Sequence, residues 1–170
     1  MCRKFKYTTV ALQVLSGIIV NATSQTLIEF TNENLFDPLG IKKVKNTRIN
    51  NKEEHLAFLK DKNVTGWVVD PVGINTAGWG LTLTTLDLLK LGELYLNEGV
   101  WDNNQIVSSE RIRESTNEHS KWGDKPYGYL WWIIKGFGGN CFAVIGDGGN
   151  ILFVYPEKEI VIAITSCFLP

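Results

Sequence analysis

A serine followed three positions later by a lysine puts a hydroxyl and an amine on one helix face, a turn apart. There the amine can take the proton as the hydroxyl attacks an acyl carbon. None of the serines or threonines of this chain is followed in that way: Ser16 leads to Ile19, Ser109 to Ile112 and Ser120 to Gly123. A Gly-x-Ser-x-Gly elbow is missing as well. Cys2, Cys141 and Cys167 are odd in number and widely spaced, which fits neither a disulfide framework nor a Cys-x-x-Cys zinc site. His55 and His119 lie far apart with no His-Glu-x-x-His around them, so no metal centre is expected. The residues left with chemical character are Tyr7-Thr8-Thr9, the run Asp147-Gly148-Gly149-Asn150, and six tryptophans that include Trp79 and the pair Trp131-Trp132.

The elements that would position these groups follow from pattern. A chain of 170 residues with 44% hydrophobic and 21% charged content can build one ordinary domain with a real core. A net charge of −1 offers no basic field for nucleic acid, and no apolar run is long enough for a membrane span. Thr26 and Glu29 form a capping box that should open a helix running to about Leu35, and Asp37-Pro38 should stop it. The segment 44–70 reads as a polar, irregular excursion, and 73–80 as a glycine loop. Thr84 should cap the strongest helix, with Leu86, Leu88, Leu89, Leu91, Leu94 and Tyr95 as its apolar stripe and Gly99 at its end. Ser108 or Ser109 should cap a short helix. After Trp122 the period changes, and β-branched or aromatic runs at 127–134, 142–145, 151–155 and 160–166 are separated by short turns, favouring antiparallel strands. Helices first and a strand meander last is the order of an α+β domain.

Two readings of the N-terminus stay open at this level. A basic start, an apolar stretch over 10–20 and Val20-Asn21-Ala22 have the parts of a secretory signal peptide. The same residues also form an amphipathic helix with Ala11, Leu12, Leu15, Ile18, Ile19 and Ala22 on one face, Gln13 and Ser16 off it. Tyr7 by itself could be no more than the aromatic start of that helix. Asp147-Gly148-Gly149 by itself is a good hairpin turn. Trp131 and Trp132 should alternate across a strand, one in the core and one toward a cleft or another element.

Several segments taken together resemble the C-terminal half of the serine β-lactamase-like family of class C β-lactamases, D,D-peptidases, penicillin-binding proteins and related esterases. They are Phe5-Lys6-Tyr7-Thr8-Thr9 leading to Leu15-Ser16-Gly17, then Glu29-Phe30 before Leu35-Phe36-Asp37-Pro38-Leu39-Gly40-Ile41. Thr76-Ala77-Gly78-Trp79-Gly80-Leu81, Asp87-Leu88-Leu89-Lys90-Leu91-Gly92, Tyr127-Gly128-Tyr129-Leu130-Trp131-Trp132 and Gly146-Asp147-Gly148-Gly149-Asn150 follow in family order. The resemblance spans nearly the whole chain and favours reading the N-terminus as a helix of the fold.

The resemblance implies a domain with an antiparallel sheet flanked by helices, of which 1–170 is the C-terminal part. Its helices would fall in 9–99 and 108–117 and its strands in 127–166, with the region bearing Ser-x-x-Lys and the first strands lacking. It implies acyl transfer through an acyl-serine, with no cofactor and a small-molecule or peptide substrate. Tyr7 would relay the proton and Thr9 would stand where asparagine is usual. Asp147-Gly148-Gly149 would be the Lys/His-x-Gly motif on a core strand, followed by Asn150, whose N–H would serve the oxyanion hole. Trp79, in the glycine loop, would either line the substrate mouth or cover the apolar face of the helix that Thr84 caps. Asp147 departs from the cationic residue and should repel a substrate carboxylate, which points to a neutral ester, amide or peptide. Alone, the chain is expected to be inactive for want of the nucleophile. Its partners would be a missing N-terminal half, or a second copy associating through an exposed sheet edge near 160–166. A non-catalytic domain binding peptidoglycan-type ligands, or one half of a split enzyme, are the alternatives.

Overall fold

In the computed structural model, which describes residues 7–61, 63–136 and 138–166, the chain divides into two units, Tyr7–Leu83 and Thr84–Ser166. The first begins with α1 (Thr9–Thr23), a helix without a charged side chain that closes on Ser24 in the left-handed region. Its buried face is not the one that hydrophobic pattern predicts. Ser16 is the buried residue, with Leu12, Gln13, Ile19 and Val20 half-buried, while Leu15 and Ile18 stand exposed beside Val10 and Val14. Polar partners explain the rotation: Ser16 Oγ donates to the Asn75 carbonyl at 2.9 Å and Gln13 Nε2 to Asp70 Oδ2 at 3.0 Å.

The predicted capping box opens α2 (Leu27–Thr31), with Thr26 N–H donating to Glu29 Oε2 at 2.9 Å and Glu29 N–H to Thr26 Oγ1 at 3.3 Å. The helix widens into a π-helical turn, Asn32–Phe36, before Asp37 and Pro38; Phe36 at its end is buried, as are Leu39 and Ile41 beyond it. The supposedly irregular segment is ordered: β1 (Asn46–Arg48), α3 (Lys52–Lys60) and β2 (Trp67–Val69), with β1 and β2 paired in parallel. Asn51 caps α3 by accepting from Glu54 N–H at 2.8 Å. No residue of α3 is fully buried, and its inward face is short, with His55, Phe58 and Leu59 half-buried. The core of this unit joins Leu27, Ile28 and Trp67 to Ile19, Val20 and Val44.

The second unit opens with α4 (Thr85–Leu96), where Thr84 and Asp87 form a second capping box. Leu94 is buried and Leu91, Tyr95 and Leu96 pack on the sheet core, but Leu86 is 70% exposed. At 3.6 residues per turn Leu86 shares the outer face with Lys90, Glu93 and Asn97. A two-stranded hairpin, β3 (Val100–Trp101) and β4 (Asn104–Gln105), turns through Asp102 and Asn103, both at positive φ. Then α5 (Ser109–Ser115) is capped by Ser108.

Six antiparallel strands complete the unit: β5 (Ser120–Trp122), β6 (Lys125–Tyr127), β7 (Trp132–Ile134), β8 (Cys141–Ile145), β9 (Ile151–Tyr155) and β10 (Ile160–Ile164), in sequential spatial order. The stretch 127–134 is therefore not one strand. A turn over 128–131 divides it, with Leu130 at φ 69° and Gly128 so close to Ser115 that a Cβ would lie 2.3 Å from the Ser115 carbonyl oxygen. Trp131 lies in that turn and is buried with Phe142, Leu152 and Val154, its ring 4.5 Å from Tyr95. Trp132 is on β7, half-buried, against Tyr127 and Trp122. The fold is α+β with an antiparallel sheet, as the strand pattern predicts.

Candidate functional site

Tyr7, Thr9 and Trp79 belong to the first unit; Asp147, Gly148, Gly149 and Asn150 belong to the second. Tyr7 is 58% exposed just ahead of α1, and Thr9 is the first residue of that helix. Thr8 holds the N-cap position in extended backbone without a side-chain capping bond. A phenol and a hydroxyl thus stand at the end of α1 where backbone N–H groups point outward.

The loop bearing Trp79 meets this helix end. A Cβ on Gly78 would lie 2.3 Å from Thr9 Cγ2 and 3.5 Å from Leu12 Cδ1, so close approach of the loop requires glycine. Thr76 fixes the loop from inside, its hydroxyl within 2.7 Å of the Trp79 carbonyl and 3.1 Å of the Val68 carbonyl. Asn75 binds the loop to two more elements: its Oδ1 accepts from Ile28 N–H at 3.2 Å and its Nδ2 donates to Asn46 Oδ1 at 2.8 Å. On this frame Trp79 remains 41% exposed, with its ring 5.3 Å from the imidazole of His55 on α3. The sequence names His55 only as a histidine without a metal-site pattern, and its contact with Trp79 is not foreseen from it. Its only signal was the Asn51 cap, which sets the helix that carries it.

Asp147–Gly149 lies in the turn between β8 and β9, not on a core strand. Gly148 and Gly149 both hold positive φ, 76° and 89°, which a strand does not contain, and the ladder closes at Ile145 and Ile151. The turn is pinned: Gly146 N–H donates to the Asn150 carbonyl at 2.9 Å, and Asn150 Nδ2 to the Asp147 carbonyl at 2.9 Å. Ser166, two residues past β10, donates its N–H to Asn150 Oδ1 at 3.2 Å and its hydroxyl to the Gly148 carbonyl. Asp147 and both glycines are exposed, so the turn offers a carboxylate and bare backbone to an incoming group. Among the described residues no cluster of His, Cys, Asp and Glu is grouped to hold a metal ion, and no single helix is long and apolar enough to cross a membrane.

A family model described as Beta-lactamase matches residues 3–167. No curated protein matches significantly. Among solved structures, a protein from Bacillus anthracis described as a 6-aminohexanoate-dimer hydrolase is similar with a TM-score of 0.73 and 23% identity, over 94% of this chain and 37% of that one. A penicillin-binding protein homolog from Caulobacter crescentus is similar with a TM-score of 0.61 and 15% identity, over 87% of this chain and 48% of that one. The chain thus spans less than half the length of each, and at these identities the likeness is one of fold.

Proposed function

The chain belongs to the beta-lactamase family, and from that premise we propose that it carries the proton-relay and oxyanion-side parts of a hydrolase acting on neutral esters, amides or peptides, and that by itself it forms no acyl-enzyme. In this reading a serine oxygen adds to the substrate carbonyl, the oxyanion is held by backbone N–H groups that include that of Asn150, and the Tyr7 phenol passes the serine proton to the leaving group. Thr9 supports Tyr7 from the same helix end, and Trp79 lines the entry.

One observation carries the proposal of inactivity: across all 170 residues no serine or threonine has a lysine three positions on. That amine is the base the family mechanism uses to take the proton from a hydroxyl with pKa far above neutrality. The substrate class rests on Asp147. By resemblance its carboxylate takes the place of a cation that would receive a substrate carboxylate, and like charges at short range disfavour such a ligand.

Incubation of the whole chain with a fluorescent fluorophosphonate, and separately with a labelled penicillin, tests the proposal. No specific labelling is expected. Stoichiometric labelling of one residue, abolished by prior heat denaturation, would overturn it. The exposed Trp79 ring favours a second reading, a non-catalytic domain that binds peptidoglycan-type ligands. Saturable binding of muropeptides without hydrolysis, lost in Trp79→Ala, would select it.

A further inference from the structure

Asp147 is the one aspartate of the chain that a glycine follows, and no asparagine is followed by glycine. A glycine in that place leaves the backbone nitrogen without a side chain beside it, open to the aspartate Cγ. The other aspartates lack this opening. Pro38 and Pro71, which follow Asp37 and Asp70, have no N–H. Leu88, after Asp87, commits its N–H to the Thr84 carbonyl at 3.1 Å, and the Asp87 carboxylate is held in its capping box. Asp61, Asp102 and Asp124 precede lysine or asparagine, whose side chains stand beside the nitrogen. In the turn between β8 and β9, by contrast, Asp147, Gly148 and Gly149 are all exposed. Gly148 lies inside the short 3-10 turn Asp147–Gly149, where no carbonyl of that turn takes its N–H. Asn150 Nδ2 donates to the Asp147 carbonyl at 2.9 Å. That carbonyl belongs to the same amide as the Gly148 nitrogen, and a donor on its oxygen favours the amide anion.

We propose that Asp147-Gly148 is a self-modification site, at which the folded chain converts aspartate to isoaspartate through a cyclic imide. The Gly148 nitrogen, its proton given to solvent, attacks Cγ of the protonated carboxyl. The N–Cγ bond forms, and the carboxyl hydroxyl takes a proton from solvent and leaves as water. Water then adds to either imide carbonyl. Opening at Cγ restores aspartate. Opening at the original backbone carbon leaves the chain running through Cβ and Cγ and frees an α-carboxylate. The sum is an isomerisation with no redox change, and water is its co-reactant. The imide carries no charge, and the isoaspartyl turn is one backbone carbon longer. The bonds from Ser166 to Asn150 and to the Gly148 carbonyl then lose their register. The chemistry stands apart from the acyl-transfer reading; its effect on substrate charge rests on that reading.

Incubation of the full chain at neutral pH in heavy-oxygen water, without denaturant, provides the test. Each hydrolysis of the imide writes a solvent oxygen into the site, and the tryptic peptide between Lys135 and Lys158 holds Asp147 as its one aspartate. Mass spectrometry should show label at Asp147 that grows with time, and electron-transfer fragmentation should show isoaspartate there. Asp147→Glu should abolish both signals, because a larger ring must close. Asn150→Asp keeps an acceptor for the Ser166 N–H but cannot donate to the Asp147 carbonyl, so labelling should slow severalfold. Labelling in urea but not in the folded chain would overturn the proposal, as would label entering Asp102 or Asp124 as fast as Asp147. Labelling unchanged or faster in a folded Asn150→Asp would overturn the part given to Asn150. Far-UV spectra establish that each variant folds, and the parent with and without urea decides the matter if one does not. The label is read without any acyl-transfer assay, so this proposal and the acyl-transfer reading fail separately.

Discussion

The hydroxyl of Ser16 donates a 2.9 Å hydrogen bond to the carbonyl oxygen of Asn75, 59 positions along the chain, and both residues are fully buried. That bond turns α1 so that a serine faces inward and Leu15 and Ile18 face out. Ser16→Ala should remove the partner of a buried carbonyl and lower stability by about 1–3 kcal/mol. Asn75→Ala keeps that carbonyl but orphans the buried Ile28 N–H, and should likewise lower stability by about 1–3 kcal/mol. Urea denaturation checks both, and a Ser16→Ala midpoint equal to that of the parent would refute the assignment.

Gly92 sits mid-helix in α4, where alanine would ordinarily be the better residue by about 1 kcal/mol. Here a Cβ would lie 2.4 Å from Val161 Cγ1 and 2.8 Å from Leu152 Cδ1. Overpacking of that kind costs about 1–3 kcal/mol, so Gly92→Ala should destabilise. Thermal unfolding that shows a gain in Tm would mean that the α4 contact with β9 and β10 is looser than described.

Cys141 is wholly buried on β8, and burial, aided by the nearby Glu157 carboxylate, raises its thiol above the usual range. The thiolate is the reactive form, so Cys141 should resist iodoacetamide at pH 8 in the folded chain and react on unfolding. The raised value also favours the folded chain only while the thiol stays protonated. Stability should therefore decline at alkaline pH, once the unfolded thiol ionises near 9 and before the folded one does. Mass spectrometry of alkylated peptides with and without urea makes the measurement. Rapid native modification at this position would contradict it.

Glu118 is held below the usual carboxylate range by its hydrogen bond to Lys121, with Lys135 adding to it. The two ammonium groups lie at 3.1 and 3.3 Å. A depressed carboxylate contributes stability that is present above its unfolded value of 4.5 and is lost as pH falls through the lower folded value. Glu118→Gln should flatten the acid limb of the stability curve below pH 4.5 and leave the alkaline limb alone. Because the group is exposed, added salt should shrink the difference. A difference that persists once pH has fallen well below 4.5, or that grows with salt, would argue against the ion pairs as its source.

How much of this was legible depends on where each signal resides. The two capping boxes are local chemistry, but only Thr26 with Glu29 was read as one; Asp87 does the same work beside Thr84 and was passed over because glutamate is the commoner partner. The runs that became β8, β9 and β10 stood out because strand alternation is a short-range pattern. By contrast α3 is hard to read because its inward face is only three half-buried residues long, His55, Phe58 and Leu59, and the ring contact of His55 with Trp79 is set by tertiary packing. The Asp147 run reads as a hairpin turn from its own residues and as a strand motif by resemblance, and the ladder on either side decides for the turn.

By itself the sequence determined the family, the helix-then-strand order and the lack of a Ser-x-x-Lys pair. Each of these is carried by residue identity and spacing along one line. Only the tertiary structure decided which face of α1 is buried, that Gly78 lets the Trp79 loop close on Thr9, and that Ser166 pins the Asp147 turn. Those outcomes rest on hydrogen bonds and steric contacts between residues far apart in the chain. No local pattern encodes the partner, and a buried polar group takes whichever orientation satisfies it.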